Sequence, residues 1–324
     1  MHTLALVNQK GGCGKTTSAV HLAGALVTQR QRVLLVDLDP QAHATMALGC
    51  AVEDEPSMAD VLLDGVPIEE ALQTAPGGVS LAPATARLAE FEEIGVVRIR
   101  PEAHLRRALL TVRPKFDFVI LDCPPRVDGL LAANAVRAAD TVVLVIECGT
   151  FALQGALQAV LILDELAEGL EDGFRLRALA TLFERDSRLD RDILIAMQAR
   201  FDALLFDTVV STSMRLREAA AAATLVQLLD PGSRAASDFD HLATEVRGLV
   251  GRSTRQPTRQ STSQSVSRPA GRPASQPASQ AASQAASRPA NQPASRTAGW
   301  GDSRRSDVVA NEPDRHRASN PVYR

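Results

Sequence analysis

Lysine is almost absent from this sequence. Only Lys10, Lys15 and Lys115 occur, against 32 arginines among 35 basic residues, a bias of the kind a GC-rich genome produces. Composition does not explain why two of the three lie five residues apart in one glycine-rich loop. Cysteine is scarce and scattered: Cys13, Cys50, Cys123 and Cys148 form no C-x-x-C pair. That excludes a disulfide framework or a thiolate metal site and predicts small buried residues in a reducing compartment. No apolar run approaches the ~18 residues a membrane span needs. No charged leader precedes the first apolar run, so a cytoplasmic protein without direct membrane insertion is expected.

Acid and base are unevenly shared. The formal net charge is −3, yet the stretch from Gly251 onward holds 12 arginines, no lysine and 4 acids. Residues 1–250 are therefore strongly acidic and cannot attract nucleic acid through overall charge; a local basic patch or the tail must do so. From Arg268 to Gly299 the chain repeats a four-residue pattern, RPAG, RPAS, QPAS, QAAS and variants of these. It has no apolar face to bury, so residues 251–324 read as a disordered tail and residues 1–250 as one folded domain.

Within 1–250, uninterrupted apolar runs alternate with helical patterns. Leu4–Val7, Val33–Val36, Val79–Leu81, Phe118–Leu121, Thr141–Ile146, Leu176–Leu182 and Val209–Val210 read as buried strands. Helices are predicted over Thr16–Gln29, Ser57–Leu63, Ile68–Gln73, Glu102–Thr111, Gly129–Ala138, Leu153–Glu168, Leu189–Phe201, Arg215–Ala223 and Ser233–Val250. This order predicts an α/β fold: a doubly wound, mostly parallel sheet with ligands at the carboxyl ends of its strands.

The strongest motif, Asn8-Gln9-Lys10-Gly11-Gly12-Cys13-Gly14-Lys15-Thr16-Thr17, falls between the first strand and first helix. Glycines let backbone amides turn towards phosphates, and the helix N-terminus adds its dipole. Such a P-loop predicts ATP binding through Lys10, Gly11, Gly12, Cys13, Gly14, Lys15, Thr16 and Thr17. Lys15 would reach the β- and γ-phosphates and the Thr16 hydroxyl would ligate Mg²⁺. Gln9 stands where an ordinary P-loop has its first glycine, and Lys10 follows it. Two acids complete the pattern. Asp39, in VDLDPQ, follows the second strand, and Asp122, before Cys123-Pro124-Pro125, has the layout of an acid holding Mg²⁺ through water. Cys13 and Cys123 read as packing residues.

Together with DVLLDGVPIEEAL at 60–72, FDFVILDCPP at 116–125 and FALQGA at 151–156, these residues resemble the ParA/MinD family of deviant Walker A ATPases. The likeness is greatest to the Soj-type ParA partition branch and covers nearly all of residues 2–248. It implies slow, partner-stimulated ATP hydrolysis. Lys10 matches the signature lysine that crosses an ATP-sandwich homodimer to the partner's phosphates, and Asp39 the aspartate associated with placing the attacking water. Asp37, Pro124 and Asn134 also match family positions.

The resemblance further implies non-specific DNA binding and a ParB-like activator or protein cargo, with nucleoid association if DNA is bound. Arg215 aligns with a DNA-contacting arginine of the family. Arg185, Arg188 and Arg217 are the other leading candidates, and Arg191, Arg200 and Arg234 are also available. Two departures stand against this: Ser211-Thr212-Ser213 where relatives often read P-R-N, and Ala219–Ala223 where they often read A-P-S-x-G. The alternative is a ParA-like ATPase that positions a protein cargo or regulates a membrane-associated machine. A MinD-type amphipathic end, iron–sulfur ligands and a Tyr-rich terminus are all missing.

Overall fold

The computed structural model describes residues 1–50, 55–94, 100–168, 170 and 173–250. The tail expected from Gly251 onward lies outside them. Along the chain run β1 (His2–Val7), α1 (Lys15–Thr28), β2 (Val33–Asp37), α2 (His43–Ala47), β3 (Gln73–Thr74), β4 (Ser80–Ala82) and α3 (Ala89–Ile94). Next come α4 (His104–Val112), β5 (Phe118–Asp122), α5 (Leu130–Ala138), β6 (Thr141–Glu147), α6 (Ala152–Ala167) and β7 (Arg175–Phe183). The last elements are α7 (Arg188–Phe201), β8 (Leu205–Ser211), α8 (Met214–Ala221), α9 (Val226–Leu229) and α10 (Arg234–Val250).

Eight strands form one sheet in the order β3-β4-β2-β5-β1-β6-β7-β8. Every neighbouring pair is parallel except β3 with β4. The expected doubly wound, mostly parallel sheet is therefore what the chain adopts. Its apolar runs are continuous because both faces are covered. Leu4 and Leu6 of β1 enter one core with α1 and α10, while Ala5 and Val7 enter the other with α4, α5 and α6. The same alternation holds in β2, β5 and β6. After β1 the chain moves outward to β2 and β4, returns to β5, then builds β6 to β8 on the other side. The loop after β1 thus emerges where the winding reverses, the position that binds ligands in such sheets.

Some elements depart from the local pattern. Ser57–Leu63 is not an ordinary α-helix: Asp60–Asp64 forms a π-turn ending at Gly65 with φ +75°. Met58, Ala59, Val61, Leu62 and Leu63 are all buried, so packing under α4 shapes this segment. Ile68–Ala71 is a single 3₁₀ turn, and Gln73 belongs to the antiparallel strand β3 instead of a helix. The short helix α2 has no periodicity to reveal it. It is held by Asp37, whose carboxylate accepts from the Thr45 amide (2.9 Å) and hydroxyl (2.8 Å).

Candidate nucleotide-binding site

The loop between β1 and α1 takes its shape from two glycines with φ of +77° (Gly12) and +90° (Gly14), a region that strains any residue with a Cβ. Gly14 is also the N-cap of α1 and supplies no side-chain cap. Among the described residues, the amides of Gly11 through Thr16 have no protein acceptor. A row of inward amides at a helix start is an anion receptor. The loop is tied from behind: Asn8 Nδ2 donates to Val145 O (2.6 Å), and the Thr181 hydroxyl donates to Cys13 O (2.7 Å). Lys15 is buried and its ammonium donates to Lys10 O at 3.1 Å. The Lys10 ammonium pairs with Glu147 at the end of β6.

Opposite the loop stand three carboxylates. Register places Asp37 of β2 directly beside Asp122 of β5, and Leu6 of β1 beside Asp122 on its other side. Leu38 donates its amide to Asp122 O at 2.9 Å, locking the two strand ends together. Asp39 is buried; its carboxylate accepts from the Gln41 amide at 2.9 Å, and its own amide donates to Asp37 Oδ1 at 3.1 Å. Burial pushes the Asp37 carboxyl up to about 6, against the hydrogen bonds from Thr45. Asp122 is raised well above the ordinary carboxylate range, first by burial and then by the Asp37 charge, with the Thr16 hydroxyl and Lys15 acting the other way.

Both Asp122 oxygens are fully buried and make no hydrogen bond of good geometry among the described residues; the Thr16 hydroxyl and the Lys15 ammonium are the neighbouring groups that favour its charge. A buried carboxyl of this kind calls for an explanation, and a cation held there with its waters is one. A hydrated Mg²⁺ between Thr16 and Asp122 fits that demand. No cluster of three or more His, Cys, Asp or Glu able to hold a metal exists among the described residues. Mg²⁺ keeps several waters and binds through substrate phosphates with one or two protein ligands.

The cysteines behave as packing residues. Cys13, Cys123 and Cys148 are buried and Cys50 is partly so; all four are free. Burial raises the thiols of Cys13 and Cys123, and that of Cys148 up to about 12, which leaves them protonated and unreactive.

The structure brings Lys10, Gly11 to Thr17, Asp39 and Asp122 to one end of the sheet. Of the candidate arginines, Arg185 follows β7, Arg188, Arg191 and Arg200 lie on α7, Arg215 and Arg217 on α8, and Arg234 on α10. Arg185 and Arg234 line a cleft of about 750 Å³ between β8 and α10, whose walls also carry Asp207, Asp238 and Glu245. Arg188 on α7 faces Asp192 at 4.0 Å, and Arg217 on α8 contacts Met214 Sδ at 3.9 Å. Arg215 is held by two acids, Glu218 at 2.7 Å and Asp230 at 3.0 Å. Glu147 and Thr181 join the site without a motif to mark them, although both lie at carboxyl ends of strands, where this sheet type binds ligands. Among the described residues no helix is long and apolar enough to cross a membrane.

A family model described as an AAA domain matches residues 1–176. The sporulation initiation inhibitor protein Soj of Bacillus subtilis is 35% identical over 246 residues, which are 75% of this chain and 97% of that protein. The chromosome-partitioning ATPase Soj of Thermus thermophilus is 37% identical over 250 residues, 76% of this chain and 96% of that protein. Among solved structures, the cobyrinic acid a,c-diamide synthase of Mycobacterium smegmatis with bound ATP analogue and magnesium superposes with a TM-score of 0.68 at 31% identity. The match covers 79% of this chain and 98% of that one. The loop after β1, the facing aspartates and relatives matched almost end to end converge on one assignment: this chain belongs to the ParA/MinD family of P-loop ATPases, on its Soj-like side.

Proposed function

We propose that the protein is an ATP-dependent dimerisation switch with slow ATPase activity that binds DNA without sequence preference and segregates chromosomal or plasmid DNA. ATP and Mg²⁺ are its ligands. The observation that carries this reading is the pairing of unsatisfied groups across one site: free amides from Gly11 to Thr16 on one side, the buried Asp122 carboxylate on the other. Triphosphate answers the first and Mg²⁺ the second.

In this reading Lys15 and the loop amides neutralise the phosphates of the chain's own nucleotide, and Thr16 and Asp122 hold the hydrated cation between them. Asp39 orients the attacking water. Lys10 reaches the partner's phosphates, so a dimer forms only when the γ-phosphate supplies enough negative charge between two cationic loops. Hydrolysis removes that charge and separates the copies. A ParB-like activator or cargo stimulates this step. Arg215, Arg185, Arg188 and Arg217 contact DNA phosphates, and the arginine-rich residues 251–324 act as a separate tail. The protein acts in the cytoplasm, on the nucleoid.

A second reading draws on a specific observation. The two acids on Arg215 and the departures at 211–213 and 219–223 favour a protein cargo or membrane-associated machine in place of DNA. Binding to a random-sequence duplex separates the two, with ATP, ADP or no nucleotide and with Asp39→Ala to hold the ATP form. Salt-sensitive binding with ATP alone supports the DNA reading. Binding indifferent to nucleotide, or none, moves the cargo reading ahead.

A further inference from the structure

Glu147 is the last residue of β6, in register with Thr181 of β7, and its carboxylate is the partner of Lys10. The side chains differ in freedom: that of Glu147 is 17% exposed and that of Lys10 is 53% exposed. The acid stands at a strand end and is the more enclosed member, while the lysine is the more exposed one. Room for the carboxylate is left by Gly149, where a Cβ would stand 3.0 Å from Glu147 Oε1. The loop that carries Lys10 is fastened to the same strand. Asn8 bridges Val145 O and the Lys10 amide at 2.6 and 3.1 Å, and the Thr181 hydroxyl joins Cys13 O to Ile146 O at 2.7 and 3.3 Å. The backbone of the loop is therefore tied from behind, whereas the Lys10 side chain is tied, among the described residues, only by its contact with Glu147.

Lys10 has one ammonium and two claims on it. Within the chain it neutralises Glu147; across a dimer it would neutralise the partner's phosphates. An ammonium cannot serve both without drawing a carboxylate towards a polyphosphate, and like charges at that distance repel. We propose that Glu147 is a positioning residue that holds Lys10 on its own chain and sets the nucleotide level at which Lys10 is released to a second copy. This rests on the dimer reading given above and adds to it a built-in threshold. Because Lys10 is half exposed, the retaining contact is screened and modest, so the threshold can be crossed by a nucleotide bearing a γ-phosphate.

The test uses the full chain in sedimentation velocity over a titration of Mg²⁺ with the non-hydrolysable β,γ-imido analogue of ATP. Wild type, Glu147→Gln, Glu147→Ser and Lys10→Ala are compared, each after its melting temperature shows it folded. Both Glu147 variants should form dimers at an analogue concentration about 3- to 10-fold lower than wild type, and raising salt should narrow that gap. Lys10→Ala should stay monomeric. If wild type dimerises and Lys10→Ala does not, but both Glu147 variants match wild type within about twofold or need more analogue, the holding role of Glu147 is overturned. If wild type shows no analogue-dependent dimer, or Lys10→Ala dimerises like wild type, the dimer reading itself fails and the inference falls with it.

Discussion

The strand-end site and the surface around α8 treat charge in opposite ways. At the site, polar groups are left open: among the described residues, the buried Asp122 oxygens make no hydrogen bond of good geometry and the amides of Gly11 to Thr16 have no protein acceptor. On α8 the reverse holds, for Arg215 is already divided between Glu218 and Asp230. A binding site is recognised by groups whose demands the fold does not meet. By that standard the nucleotide site is poised for its ligand, whereas the arginine surface must first give up contacts it has.

The sharpest way to break this contrast is to remove Lys15. Its buried ammonium would meet the phosphates directly, so Lys15→Ala should lower ATP turnover by at least about 100-fold, measured as phosphate release. Retained turnover would mean that the loop amides alone carry the nucleotide.

Asp122→Asn should separate function from stability. Turnover should fall by on the order of 100-fold with loss of Mg²⁺ dependence. The nucleotide-free protein should instead melt higher, since a buried charge is gone; ~1–2 kcal/mol would shift a domain of this size by roughly 2–8 °C. The sign with pH follows from the raised carboxyls. A group that holds its proton more tightly when folded costs stability as pH climbs from its ordinary value towards its folded one, so the gain from Asp122→Asn should grow with pH from about 4 upward. Asp37, pushed up to about 6, imposes the same trend between about 4 and 6. His21, buried and lowered to about 4, acts oppositely, losing its contribution as pH falls below about 6.5. Comparing variant with wild type at each pH cancels the His21 part, while Asp37, whose charge opposes that of Asp122, is relieved in the variant and adds to the gain in the same direction. A gain that shrinks with rising pH would contradict the assignment.

On α8 the comparison is sharpened by freeing the arginine. Glu218→Gln with Asp230→Asn should tighten duplex binding by about 3- to 10-fold and steepen its salt dependence by about one ion. No change would remove Arg215 from the DNA surface. The smallest effect is expected at the strut behind the loop: Thr181→Val loses the hydrogen bond to Cys13 O and should cost about 1 kcal/mol of stability by denaturant unfolding.

Much of the site is legible in the sequence alone. Lys10, Lys15, Thr16, Asp39 and Asp122 each sit at a junction that strand and helix patterns mark, because a parallel sheet delivers its strand ends to one edge. What stays hidden depends on distance in space. Nothing in Val145-Ile146-Glu147 says that its acid will meet a lysine 137 residues earlier, nor that Asp37 will hold α2 through Thr45. Likewise, the pairing of Arg215 with Asp230 arises because α8 turns back at Ala223, with φ +49°, which alanine does not advertise. The segment at 57–63 misleads because burial of every residue but Asp60 erases the helical period that pattern reading needs.

In the proposed switch triphosphate, and not diphosphate, brings two copies together. Sedimentation velocity of the full chain with Mg²⁺-ATP, Mg²⁺-ADP and no nucleotide tests it most directly. A dimer is expected with ATP alone, lost when hydrolysis exhausts the ATP. One mass under all three conditions, monomer or dimer, would contradict it.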